Sequence, residues 1–356
     1  VVALIVGLLA CAPTGAPPAA CAPAAGVLCV TSDLEVGALA VAEETGWRDR
    51  LSSAWPDAIP RWVGDEAVVI GRGQADALRR YTDGCFAAPV AEIPLPAGTN
   101  GHDLVAAAGR WFVSAYELDG LLVLDPTSGR EVGRVDLTDW ADADGRPEAD
   151  QLVVDGDWVY VGVQALNRDD GWRAAGGAVV AVDAHAAAPI DAWSIGPNPK
   201  IFDHPWETGA LVVLTGTYEL VRDGEGVDPD GALVVLQPET GVLRTAFTEA
   251  ALGFDLSDYA EVDGVGVVVG VDFALGSASR IGCIDWATET WVEGPAIASW
   301  VSDVVPADGG VWLAARSGLV PDAPSGLVWL DPSTCALDED TWTDLALEPY
   351  ALAARP

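Results

Sequence analysis

Residues 103–135 read DLVAAAGRWFVSAYELDGLLVLDPTSGREVGRV, and their frame decides the fold. An aspartate is followed, after five residues, by a glycine and an apolar run, RWFVSAY. A small residue then opens a second apolar run, GLLVL, which ends in the polar turn DPTSG and a third run, REVGRV. Short β-rich runs separated by turn residues, with no sustained helical period, describe strands and hairpins.

Working outward, both halves of this frame recur. The Asp-to-Gly half returns from Asp150, Asp203, Asp258 and Asp303 without a gap. The strand-turn-strand half occurs seven times, from Gly37, Ala77, Gly120, Gly177, Gly231, Arg280 and Gly326. The copies lie roughly 40 to 57 residues apart, the range of a four-stranded propeller blade. Each blade is then a strand A, a turn at the glycine, a strand B, a loop of variable length, and a C–D hairpin.

The ends of the repeat fit one shared blade. GVLCV from Gly26 supplies a B strand with C and D after it but no A, while EPYALAARP from Glu348 reads as a lone A strand. Closing one blade from both ends removes exposed sheet edges. The expected architecture is therefore all-β: a seven-bladed β-propeller of four-stranded antiparallel blades over residues 26–356, the last blade closed by N- and C-terminal strands.

Residues 1–11, VVALIVGLLAC, form an apolar run too short to span a bilayer as a helix and fit a signal-peptide core. Leu8, Leu9, Ala10 and Cys11 resemble the bacterial lipobox, which implies diacylation of Cys11. Residues 12–25 are Pro and Ala with little to pack, as in an extended tether. An exported monomer follows, lipid-anchored in a bacterial envelope on the periplasmic side or at the outer-membrane surface.

Asp and Glu number 54 against 18 Lys plus Arg, a formal charge of −36. Lys200 is the only lysine. Such a surface repels phosphate backbones and anionic headgroups, so nucleic acid is excluded as a partner and membrane contact is expected only through the lipid. With Cys11 lipidated, Cys21, Cys29, Cys85, Cys283 and Cys335 remain, an odd number. Cys29 and Cys283 lie in apolar runs and read as core; Cys85 and Cys335 each follow a strand and could bridge.

The stretch GTNGHDLVAAAGRWFVSAYELDGLLVLDPTSGREVGRVDL, and the other blades more loosely, resembles the YVTN-type bacterial propeller repeat. DLTDWADADGRPEADQLVVDGDWVYVGVQALNRDDGW is similar to propeller lipoproteins of unassigned function. The resemblance implies the fold and carries no chemistry.

In a propeller the A strands line the channel, and the D–A and B–C loops emerge on one face. The longest loops here belong to that face, where binding residues concentrate. The repeated Asp103, Asp150, Asp203, Asp258 and Asp303 are expected around the channel mouth, with Glu348 nearby. Converging carboxylates need solvation, protons, backbone N–H donors or a cation, and calcium is the metal they suit best. A repeated Asp can equally serve every blade by capping a turn.

His102 and His204 flank this ring, and strand alternation argues against their pairing with the aspartates beside them. His185 falls in a C–D turn and reads as solvated. The loop with Gln164, Asn167, Arg168, Asp169 and Trp172 mixes donors, acceptors and an aromatic ring suited to sugars or peptides. Asp139, Asp142 and Asp144, and likewise Asp228 and Asp230, give only incomplete calcium loops. No hydrolase, P-loop, zincin or dinucleotide motif is present, so no catalytic residue is assigned. The chain therefore reads as an interaction module for a protein, glycan or small ligand. The alternative is a calcium-dependent, lactonase-like hydrolase with its metal at the channel.

Overall fold

A computed structural model describes residues 26–43, 46–73, 75–82, 84–174, 176–216, 230–272, 278–317 and 322–355. The signal segment, Cys11 and Asp228 lie outside them. Seven antiparallel sheets follow one another around a central channel, each in the sequential order A-B-C-D. Blade 1 is Ile59–Val63, Glu66–Gly71, Ala77–Tyr81 and Ala91–Pro94; blade 2 is Gly101–Ala107, Arg110–Ala115, Gly120–Leu124 and Glu131–Asp136. The pattern continues through blade 6, whose A strand is Trp300–Ala307.

Blade 7 is the shared one. Pro349–Ala354 pairs antiparallel with Val27–Ser32, from Val27 opposite Ala354 to Thr31 opposite Pro349. Val27–Ser32 then pairs with Gly37–Glu43. The outer strand expected here is split into Gly46–Arg48 and Ser53–Ala54, both on the same neighbour. Between them Arg50 adopts a positive φ of 54°, which breaks the ladder.

The B and C strands are largely apolar because both their faces are covered by adjacent blades, with Arg79 and Arg80 in the C strand of blade 1 as the clearest exception. Val161 and Val180 of blade 3 pack with Phe112 and Val123 of blade 2, all fully buried. The D strands face solvent and carry the charge. Glu131–Asp136 is exposed along most of its length and Ala336–Thr343 along half of it, with none of the latter buried.

The small residue that opens each C strand has a steric reason. A Cβ on Gly120 would collide with the Val135 carbonyl oxygen of the neighbouring D strand, and one on Gly231 with the Thr215 carbonyl oxygen. The glycine ending the other frame is conformational instead. Ala108 and Gly109 take φ of 49° and 72° in a two-residue turn whose twist suits a hairpin.

One expectation is corrected by packing between blades. Cys283, in the C strand of blade 5, is not plain core: it forms a disulfide with Cys335, in the C–D turn of blade 6. Cys85 is disulfide-bonded as well, so a Cys85–Cys335 bridge is ruled out. Cys29 is free and buried, and burial raises its thiol pKa far above the ordinary range.

Candidate functional site

The A strands enclose a cavity of about 1530 Å³ to which every blade contributes. Counting from the turn glycine places the repeated carboxylates. Asp103, Asp258 and Asp303 lie opposite Ser114, Val269 and Ala314, each five residues beyond its glycine. These three are equivalent.

Asp150 falls inside a bulge between Ala149 and Leu152, so its side chain is offset from theirs. Asp203 lies opposite Leu211, only two residues beyond Gly209, and is exposed near the far end of the strand. The residue opposite Leu214, five beyond Gly209, is Lys200. The sole lysine thus stands in blade 4 where three other blades hold an aspartate.

Each inner carboxylate already has partners. Asp103 accepts from the Leu104 N–H at 2.7 Å and from the Leu152 N–H of the next blade at 2.8 Å, and is ion-paired with Arg61. Burial opposes the charge on Arg61, but Asp103, with help from Asp303 and Asp150, keeps its pKa raised. Asp303 repeats the inter-blade strap, accepting from Val304 N–H at 2.8 Å and Leu352 N–H at 2.7 Å. Burial, then repulsion from Asp258, pushes Asp303 up to about 7.

Asp258 accepts from the Tyr259 N–H and lies 3.3 Å from the Lys200 ammonium. Although Asp203 is exposed, partial desolvation, then repulsion from Glu261 and Asp155, raises its pKa. Glu348 holds the Ser317 N–H at 3.1 Å, away from the ring. Among the described residues no three His, Cys, Asp or Glu side chains come together as a metal site. The ring predicted from spacing is, at most positions, a set of separate straps and ion pairs.

A different group of polar residues does converge. Arg72, Tyr116 and Gln164 follow the B strands of blades 1, 2 and 3, which sets all three at the loop-rich mouth. Arg72 Nη2 lies 2.7 Å from His102 Nε2, and His102 Nδ1 lies 3.1 Å from Asp150 Oδ1. Gln164 Nε2 donates to Asp150 Oδ2 at 2.7 Å, and the Tyr116 hydroxyl donates to Gln164 Oε1. The Tyr116 and His102 rings stack with centroids 3.8 Å apart and planes within 6°.

The charges in this chain are set by its order. Burial and then the Arg72 charge lower the His102 pKa, so the imidazole is neutral, donating from Nδ1 to Asp150 and accepting at Nε2 from Arg72. Burial would raise Asp150, but the hydrogen bond from His102 and the nearby Lys200 and Arg72 charges hold it below its usual range. The strand argument against a His102–Asp103 pair holds. The true partner sits on the next blade, where linear spacing gave no signal.

The loop after Gln164 is fastened from within. Arg168 Nη1 is ion-paired with Glu117 at 2.5 Å, its Nε with Glu148 at 3.1 Å, and its Nη2 donates to the Tyr116 carbonyl. Burial and then Asp144 push Glu148 up to about 7. Asn167 accepts from the N–H groups of Asp169 and Asp170, forming a tight turn that leaves Asp169 exposed.

Trp172 is half exposed, lines the cavity, and has the Arg168 guanidinium 4.6 Å from its ring. Asp142 and Asp144 accept from backbone N–H groups of this region. His204, fully buried, meets Glu261 of the next blade at 2.6 Å. His185 is exposed and lies 3.1 Å from Asp157.

No family model and no curated relative matches this chain. Solved structures do. A protein of Bacteroides fragilis NCTC 9343, provisionally named a 6-phosphogluconolactonase, superposes with a TM-score of 0.63 at 10% identity, covering 92% of this chain and 97% of the other. A computationally designed protein, Ika8, gives 0.56 at 11% identity over 92% and 90%. Hydrazine synthase of Kuenenia stuttgartiensis gives 0.53 at 12% over 76% of each chain. At such identities these likenesses show the propeller fold alone.

Proposed function

We propose that the protein is a non-catalytic binding propeller that takes a ligand at its loop-rich channel mouth. The observation that supports this reading is the hydrogen-bonded set Arg72, His102, Asp150, Gln164 and Tyr116 beside the half-exposed ring of Trp172, all lining one cavity. Preformed polar groups next to an open aromatic face suit recognition. They suit acid–base chemistry poorly, because both His102 ring nitrogens already have partners.

A small-molecule and glycan screen read by melting temperature tests the site, with Trp172→Ala as its control. Hits that bind the variant equally well would sink the assignment to this mouth. The hydrolase reading makes an opposite forecast for metal. Millimolar calcium should leave the melting temperature unchanged, and a clear rise would revive that reading.

The proposal includes an envelope anchor through Cys11, resting on the Leu8–Cys11 motif and the Pro/Ala stretch behind it. In a bacterial host the Cys11→Ala variant should leave the membrane fraction. Continued retention would count against lipidation.

A further inference from the structure

Among the described residues, the arginines and the lysine that line the channel are, with one exception, matched by carboxylates. Arg61 pairs with Asp103, Lys200 with Asp258 and Arg355 with Asp65. Arg72 has no carboxylate within ion-pair distance among the described residues, in a chain carrying 54 acidic side chains. Its one side-chain partner among the described residues, His102 Nε2, is an acceptor without charge of its own. The Arg72 Nε–H is buried and has no hydrogen-bond partner among the described residues.

With no carboxylate beside it and only Nη2 engaged among the described residues, the Arg72 guanidinium keeps its terminal Nη1 donors for an acceptor from outside the chain. The neighbouring groups cannot supply one. Asp150 is taken up by His102 and Gln164, and Glu117 and Glu148 by Arg168. Both Arg72 and Trp172 line the same cavity, and the Trp172 ring is half open to solvent.

We propose that Arg72 receives the carboxylate of a small monoanionic ligand whose apolar face rests on Trp172. Sugar acids have this combination of a planar anion and a ring with a C–H face. This inference rests on the mouth being the ligand site. A single negative charge is preferred over a phosphate dianion because Asp150 lies close behind His102 and acidic side chains outnumber basic ones along the channel.

Calorimetric titration with glucuronate, its neutral counterpart glucose, and inorganic phosphate tests the inference on wild type, Arg72→Gln and Trp172→Ala. Circular dichroism and melting would establish that each variant is folded, and Arg72→Lys keeps the charge without the planar fork. The expected result is glucuronate binding at least about tenfold tighter than glucose, with Arg72→Gln erasing the difference and Arg72→Lys restoring part of it.

Equal binding of glucose and glucuronate, lost only in Trp172→Ala, would overturn the anion assignment while leaving the mouth a ligand site. Phosphate binding tighter than glucuronate would overturn the preference for a monoanion. Failure of all three probes to bind wild type would overturn this inference and count against the mouth itself.

Discussion

At the scale of single residues, the repeated aspartate works as a fastener between blades. Asp103 and Asp303 each accept the N–H of a residue on the next A strand, Leu152 and Leu352. Asp103→Ala removes that acceptor and leaves the half-buried Arg61 without its counter-ion. Losing this partly buried pair together with the N–H acceptor should cost on the order of 3 kcal/mol, which equilibrium denaturation would detect. Asp303→Asn should cost less, on the order of 1 kcal/mol, because an amide oxygen still accepts one N–H and no cation is abandoned.

The acidic residue of the frame was legible in the sequence, whereas its partners were not. Arg61, the partner of Asp103, and His102, the partner of Asp150, come from other blades, and Lys200 occupies an aspartate's position because the wider turn of blade 4 moves Asp203 out of register. Spacing to a glycine fixes register only when the turn has the same length. Asp150 shows the same limit, displaced by a bulge that leaves the count of residues unchanged.

At the scale of elements, the seven C–D hairpins were readable because sterics impose the small residue that opens most of them. What could not be read was which loops meet. The Cys283–Cys335 disulfide joins two neighbouring blades through residues 52 apart, one in a strand and one in a turn. Chain-entropy arguments give about 4 kcal/mol for a loop of that size. The Cys283→Ala/Cys335→Ala double variant should therefore unfold at distinctly lower denaturant. An unchanged midpoint would mean that blade packing alone holds this pair of sheets.

At the scale of the whole molecule, buried acids should make stability depend on pH in an unusual sense. Asp303 and Glu148 are pushed up to about 7 and Glu249 to about 8, in each case mainly by burial. Their folded forms hold protons that the unfolded chain releases above roughly pH 4. This contribution is complete below that pH and is lost as pH rises through 7 to 8.

His102 acts in the opposite sense, because its lowered pKa favours the folded state only above the ordinary histidine range. With three carboxylates against one imidazole, the melting temperature should be higher near pH 6 than near pH 8.5. A flat or inverted profile would show that these carboxyls are not protonated in the fold.

The shared blade also has a consequence for how the chain is made. Val27–Ser32 leaves the ribosome early, and the strand that covers its free edge, Pro349–Ala354, is synthesised only after the other six blades. Until then the nascent ring stays open, with an apolar ladder waiting for a partner. A product that stops short of those closing residues would expose that edge permanently, marking it for proteolysis or aggregation.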